Sequence, residues 1–433
     1  AVKETERLQE DQGIIGEVYR QIQGKDILHL AVLLHDLGKG RPGDHSKIGQ
    51  EIAHKMADRL ELSQHDREVL AYLVFHHLVM SHTAFRRDLN DPKIILTFAR
   101  KMKTIEVLQK MFILTVADIS AVGPEVMTKW KESLLGELYT RTYESMVRGE
   151  ESTKTEREKS VLQPAARKTL IECIASQGRE ISEPECDWPS WVDGQLSQLP
   201  DWYVAYTPVE QMAAHLLAMR NLSSRPTYVE GRFNAELGIS EYVLITREQA
   251  KPGLFMQITG VLAALGLEVL NAQIMTLADG TVLDVFSVND SDCEGQPSDY
   301  RLSEVSQEIE AVVQEESSID QVLERRRRMN FGRQFPTGRR PTEVLMDNEV
   351  SDSYTVIDVF ADDKPGLLFV LAKILVQLDL SIHMARIGTR LDQVVDVFYV
   401  TTTSGEKIQN ATHCEQIQEA IQKAVNAFLD EEQ

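Results

Sequence analysis

Between residues 242 and 429 the chain writes one pattern twice, and no other feature restricts its fold as much. Tyr242–Thr246 is a β-type run, Lys251-Pro252-Gly253 opens an apolar helix to Leu265, Leu267–Met275 and Thr281–Val288 read as two further strands, and Arg301–Glu315 as a helix. The order returns at Tyr354–Phe360, Lys364-Pro365-Gly366, a helix to Leu378, Leu380–Ile387, Val394–Val400 and the helix His413–Leu429. Pro252 and Pro365 are 113 residues apart, as are Ala272 and Ala385, and Ile274 and Ile387. Asp284 and Asp396 are 112 apart, so the second hairpin has lost one residue. A repeat this regular is architecture. Pro pre-sets the first helical turn, and Gly lets backbone N–H groups approach a carboxylate. Thr342–Val350 is expected to close the first sheet. The second unit runs out of chain at Gln433, so its last strand is expected to be missing or borrowed.

Residues 1–150 read differently, as helix after helix. Ile14–Ile22, Lys47–Leu60, Asp66–His77, Pro92–Met102, Ile105–Ile119 and Lys129–Arg148 carry the pattern, with Asn90-Asp91 as cap candidates before Pro92. The apolar run Ile27–Leu34 delivers His35-Asp36 and then breaks into a Gly-rich turn with Lys39, Asp44 and His45. His76-His77 follows the apolar Leu70–Phe75, and Asp118 lies inside Ile113–Ile119. A lone His or Asp in an apolar helix is ordinarily a satisfied core residue. Four such features within about a hundred residues, all His or Asp, point to a divalent metal, whose ligands imidazole and carboxylate are.

The stretch 151–240 has no clean period beyond helices at Ser152–Ser176 and Thr207–Met219. Its Trp188, Trp191 and Trp202 read as packing, and the whole as a helical extension packed on the first domain. The domains are therefore drawn at 1–150, 151–240, 241–350 and 351–433. Net charge is −21, which argues against non-specific nucleic-acid binding; Arg325–Arg328 reads as a solvated helix end or linker. No run of eighteen apolar residues exists to span a membrane. Cys173, Cys186, Cys293 and Cys414 show neither zinc spacing nor a disulfide framework, consistent with a reducing cytoplasm.

The order His-Asp, Lys, His, His-His, Asp resembles the HD phosphohydrolases, which are all-helical and use one or two divalent ions. The two repeat units resemble ACT domains, ferredoxin-like βαββαβ modules that commonly bind amino acids. Asp363-Lys364-Pro365-Gly366-Leu367-Leu368 fits the ACT turn; the first unit has Ala250 where Asp363 stands, but keeps Asn271 where the second has Met384. One HD domain followed by two ACT domains closely resembles the bifunctional PII uridylyltransferase/uridylyl-removing enzymes. The wording Leu34–Ser46, His77-Leu-Val-Met-Ser81, Arg86-Arg-Asp88, Asp91-Pro92 and Thr115-Val-Ala-Asp118 carries that likeness.

The resemblance implies a nitrogen sensor that removes UMP from uridylyl-tyrosine on the PII signal protein, with glutamine as effector at the ACT domains. It implies a first ion, Mg2+ or Mn2+, on His35, Asp36 and Asp118, and a second on Asp36, His45 and His77, with His76 an additional candidate. Lys39 would neutralise phosphoryl charge, and Asp44 would orient His45 or a water. Gly253, Asn271, Asp363 and Gly366 would hold the amino acid. The two ACT units would pair with each other or across a homodimer. The HD pattern begins with a His upstream of His-Asp; here only His29 precedes it, too near on the same helix, so that ligand is expected before Ala1. The family's nucleotidyltransferase domain carries a Gly-Ser turn, and this sequence has no Gly-Ser dipeptide, so uridylyl transfer is expected only of a longer parent. Rival readings are a catalytically silent amino-acid sensor and a guanosine tetraphosphate hydrolase.

Overall fold

The computed structural model describes residues 1–123, 126–148, 164–178, 187–200, 203–204, 207–247, 253–293, 295–319, 321–322, 341–390 and 393–430. Residues 152–163, 183–186, 202, 250–252 and 325–328, each used in the reading above, lie outside them. The chain divides into two compact units, Ala1–Ser152 and Thr153–Gln433.

The first unit is all helix: α1 (Val2–Arg7), α2 (Ile14–Gln21), α3 (Lys25–Leu34), α4 (His45–Arg59), α5 (Gln64–His76), α6 (Val79–Arg86), α7 (Pro92–Met102), α8 (Ile105–Val122) and α9 (Lys129–Arg148). α7 begins as its sequence requires, with Pro92 in the first turn and the Asp91 carboxylate accepting the Lys93 N–H. α8 is apolar nearly all round, from Val107 to Ala117; a helix with no polar face must run through the middle of a bundle. Leu28, Leu70, Leu73, Met80, Phe112 and Leu135 pack into the one core it anchors.

The second unit opens with α10 (Pro164–Gly178), α11 (Trp188–Leu196) and α12 (Val209–Asn221). These do not form an extension of the first domain. Leu170, Ile174, Val192, Met212 and Leu216 pack instead on Ile245, Met275 and Leu283 of the sheet that follows. The reason is in the strands, whose residues on this face are apolar as well and need a cover. Trp188 meets Trp191 edge-on, and Arg220 lies over both rings.

The repeat then forms β1 (Thr227–Asn234), β2 (Ile239–Thr246), α13 (Leu254–Ala264), β3 (Leu267–Thr276), β4 (Val282–Asp290) and α14 (Asp299–Val313), followed by β5 (Glu343–Asp347), β6 (Thr355–Asp362), α15 (Leu367–Gln377), β7 (Leu380–Arg390), β8 (Gln393–Thr402) and α16 (Ala411–Asp430). All eight strands make one antiparallel sheet, in the order β1-β2-β4-β3-β7-β8-β6-β5. Within each unit this is the strand order of a ferredoxin-like sandwich, with the outer strand arriving from in front.

Here the expected closing strand is corrected. Glu343–Asp347 pairs with β6 and so belongs to the second unit, which lacks nothing. The first unit's outer strand is Thr227–Asn234, ahead of residue 241. A strand joined to its neighbour by a short hairpin closes a small loop, which costs little chain entropy, and both units use that local solution.

The two units pair within the chain. Asn271, Ala272 and Gln273 of β3 face Arg386, Ala385 and Met384 of β7. Over this seam α13 packs beside α15: a Cβ on Gly260 would lie 3.0 Å from the Phe369 ring and 2.9 Å from Ile319. One core, including Phe286, Val288, Phe398, Val400 and Leu371, runs under both helices.

Candidate metal centre

His35 follows the last residue of α3, where helical carbonyls lack partners. Its Nδ1–H donates to the Val32 carbonyl at 2.7 Å, which leaves Nε2 as the basic nitrogen. His77, just beyond α5, does the same with Val74 at 2.7 Å. A ring nitrogen tied to the backbone fixes both tautomer and orientation of a metal-binding histidine.

The turn between α3 and α4 brings the remaining groups in. A Cβ on Gly38 would sit 2.1 Å from the His45 carbonyl, so only glycine allows the turn to fold this tightly. Asp44 caps α4, accepting the Ser46 N–H at 2.9 Å. Its carboxylate is thus engaged by the backbone, and it reaches His45 through the helix start.

The side chains converge on Asp36. His35 Nε2 lies 3.1 Å from Asp118 Oδ1 and 3.3 Å from Asp36 Oδ2, and His77 Nε2 is 3.8 Å from Asp36 Oδ1. The His77 ring stands edge-on to both His35 and His45, with centroids 5.3 and 5.5 Å apart. Two sets of three ligand atoms result, each within 4.8 Å of one another: His35, Asp36 and Asp118; and Asp36, His45 and His77. Asp36 is common to both.

These residues fit divalent metal. Asp36 Oδ1, His45 Nε2 and His77 Nε2 are all buried and, among the described residues, all lack a hydrogen-bond partner, a costly condition unless a ligand fills it. Those three atoms belong to the residues of the second set. At the first set the potential is strongly negative. Burial alone would lower the His35 pKa, but the Asp118 and Asp36 carboxylates outweigh it and raise it to about 10. Burial works against the charged form of Asp118 too, yet His35 holds it below the usual carboxylate range. His77 goes the other way, lowered chiefly by burial, and stays neutral as a ligand must.

Lys39 Nζ pairs with Asp36 Oδ2 at 2.7 Å and is otherwise open to solvent. His76 is turned away from the cluster: its ring lies against Tyr72 and Phe75. Burial, Lys101 and Lys103 lower its pKa to about 4, and it joins neither ligand set. His29 bonds the Tyr19 hydroxyl at 3.1 Å. Among the described residues no group from α1 completes the first set. The sequence reading missed the Val32 and Val74 carbonyls and the close approach at Gly38; a His just past an apolar helix was the available signal for the first two.

On the sheet, Gly253 and Gly366 open α13 and α15 with φ of 104° and 90°, a backbone that favours glycine. Asp363 is exposed just before the second of these turns. Asn271 is buried, and its Oδ1 lacks a partner among the described residues. Its register partner Ser287 alternates with Phe286 and Val288, so Asn271 lies on the sheet face away from the paired helices.

The helical domain, with a His/Asp centre at its middle, and the paired sandwiches define a protein joining an HD domain to tandem ACT domains. Family models agree: the HD domain matches residues 6–118 and the ACR family N-terminal ACT domain residues 350–427. The chain is 33% identical over 431 residues to the bifunctional uridylyltransferase/uridylyl-removing enzyme of Rhodospirillum rubrum, covering 98% of this chain and 44% of that protein. It is 34% identical to the protein of the same name from Azospirillum brasilense, over 94% of this chain and 42% of that one. The chain thus spans less than half the length of these relatives. No solved structure matches it.

Proposed function

We propose that the helical domain is a uridylyl-removing phosphodiesterase: it hydrolyses UMP from uridylyl-tyrosine on the PII signal protein, and glutamine at the ACT units stimulates it. The observation that carries the reading is Asp36, shared by two convergent ligand sets. His35, Asp36 and Asp118 would hold one Mg2+ or Mn2+, and Asp36, His45 and His77 a second. Bound there, such ions lower the pKa of a coordinated water and neutralise phosphoryl charge.

The protein's own residues do the positioning. Val32 and Val74 orient two imidazoles, and Asp44 fixes the helix start that carries His45. Lys39, exposed beside Asp36, is placed to meet an anionic phosphodiester arriving from solvent. The relatives' name supports the reaction class, and a longer parent would also carry the opposing uridylyl transfer. The bounds 1–150, 151–240, 241–350 and 351–433 are amended accordingly: the domains are proposed as the helical unit Ala1–Ser152, the covering helices that end at Asn221, and two ACT units whose first strands begin at Thr227 and Glu343, in the cytoplasm. Among the described residues no helix is long and apolar enough to cross a membrane. Because β3 and β7 pair with each other, a homodimer through the ACT units would use other surfaces.

A second reading, a silent sensor, draws on one observation: among the described residues the first ligand set stops at three side chains, none upstream of His35. One experiment decides. Metal content and UMP release from uridylylated PII are measured with and without glutamine. Bound metal with glutamine-stimulated release is the expected result. Bound glutamine without release from metal-loaded protein leaves the sensor.

A further inference from the structure

The candidate metal centre reaches solvent past its carboxylates. The Asp36 and Asp118 side chains are 34% and 24% exposed, whereas those of His35 and His77 are nearly shut off. Apolar side chains stand beside those two carboxylates. Among the described residues seven large apolar side chains of the helical unit are exposed, and three of them, Leu33, Leu37 and Val122, lie within four residues of His35, Asp36 or Asp118. Leu33 is 59%, Leu37 49% and Val122 55% exposed, and none belongs to the core that α8 anchors.

These three are held close to the centre by the local fold. Leu33 and Leu37 are one turn apart, on either side of His35-Asp36, so they share a face. The chain still coils there, with the His35 N–H donating to the Ala31 carbonyl and the Leu37 N–H to that of Leu34. Val122 stands one turn beyond Asp118 on α8, about 6 Å along the axis. The 3.1 Å contact of His35 Nε2 with Asp118 Oδ1 joins the two turns. Apolar residues exposed singly need no explanation. Three gathered beside the exposed ligands of one metal centre do. The stretch that follows has the contrary character. Lys39, Arg41 and Lys47 lie on the turn after α3 and the start of α4, and Asp44, the one acid between them, is engaged as the α4 cap. Arg41 and Lys47 are exposed. In a chain of net charge −21 this is a local excess of positive charge.

We propose that Leu33, Leu37 and Val122 form the docking surface for the protein substrate, taking apolar side chains that flank its modified tyrosine, while the nucleotide half of the diester lies toward Lys39, Arg41 and Lys47. This rests on the phosphodiesterase reading above and names the determinants of its substrate. A uridylyl-tyrosine diester has one hydrated side, which carries the phosphoryl charge and the ribose, and one side that is a phenol ring set in a polypeptide. Cations attract the first; exposed apolar side chains gain by covering the second. The divided mouth therefore orients the diester, and it favours a tyrosyl ester held in a protein over a free nucleotide.

The test compares two substrates of the metal-loaded chain by kcat/KM: uridylylated PII and the free amino acid O-uridylyl-tyrosine. The double variant Leu33→Gln, Leu37→Gln is expected to lower kcat/KM for uridylylated PII by roughly 10-fold or more, the scale of one leucine no longer buried, and to hydrolyse the free ester as before. Calorimetry should show the affinity of the metal-free chain for uridylylated PII falling by the same factor. Val122→Gln should act in the same direction. Leu60→Gln, at an exposed leucine that caps the far end of α4 from His45, should change neither substrate. Arg41→Gln should lower both alike, because the nucleotide is common to them. Gln is a good helix former, so the variants are expected to melt with the unaltered chain. Equal losses for both substrates in the leucine variant, or no loss for uridylylated PII, overturn the proposal. So does a dimer in sedimentation that the leucine variant dissolves without changing kcat/KM, which gives this face to a second copy of the chain. Hydrolysis of neither substrate by the unaltered chain overturns the phosphodiesterase reading itself.

Discussion

Asp36 does two jobs with two oxygens, one toward His35 and one toward His77. Its loss should therefore differ in kind from the loss of His45. In Asp36→Ala, elemental analysis should find no tightly bound metal, and UMP release should fall by roughly 100-fold or more. His45→Ala should empty only the set it shares with His77 and keep the ion on His35, Asp36 and Asp118. Asp284 makes a separate prediction. Burial raises its carboxyl from 3.8 to about 8, so between those values the folded chain holds a proton that the unfolded chain has released. Stability of the ACT pair should fall as pH rises through that window. Asp284→Asn should make that slope shallower, leaving the part that the buried Asp396 contributes, and gain roughly 1–3 kcal/mol at pH 8, read from denaturant midpoints. The ligand residues His35, Asp36, His45, His77 and Asp118 were legible because each is a polar interruption of an apolar run. His76 was not separable from His77, since adjacent residues at a helix end point in different directions and only the fold says which way is inward.

Among elements, the helix starts and seams carry the testable content. If Asp44 acts by capping α4, Asp44→Ser should retain most UMP release, and Asp44→Ala should lose about 1 kcal/mol of stability together with activity; a catalytic carboxylate would be lost equally in both. Where α13 crosses α15, Gly260→Leu has no room beside Phe369 and Ile319. It should lower the melting temperature of the ACT pair by the equivalent of roughly 1–3 kcal/mol. The periodic helices were readable close to their ends: α7 and α9 at Pro92–Met102 and Lys129–Arg148. The strand Thr227–Asn234 was not. It is an edge strand with Glu230, Arg232 and Asn234 on its exposed or half-exposed side, so its alternation is weak, and it lies before the point where the repeat becomes visible. Missing it also misassigned Glu343–Asp347, its counterpart in the second unit.

At the scale of the molecule, the candidate metal centre lies in one compact unit and the proposed effector sites in the other. A chelator should therefore lower the calorimetric transition of the helical unit and leave that of the sheet unit in place, because a ligand stabilises only the part whose folded form binds it. Glutamine should do the reverse and raise the sheet transition. A seam of three paired residues on each strand would be a weak contact between separate chains, made and lost with dilution. Written into one polypeptide, the same contact becomes an intramolecular closure, governed by the effective concentration that the tether imposes. For the sensor proposed above, the response would thereby follow how much amino acid is present and be indifferent to how many copies of the protein the cell holds.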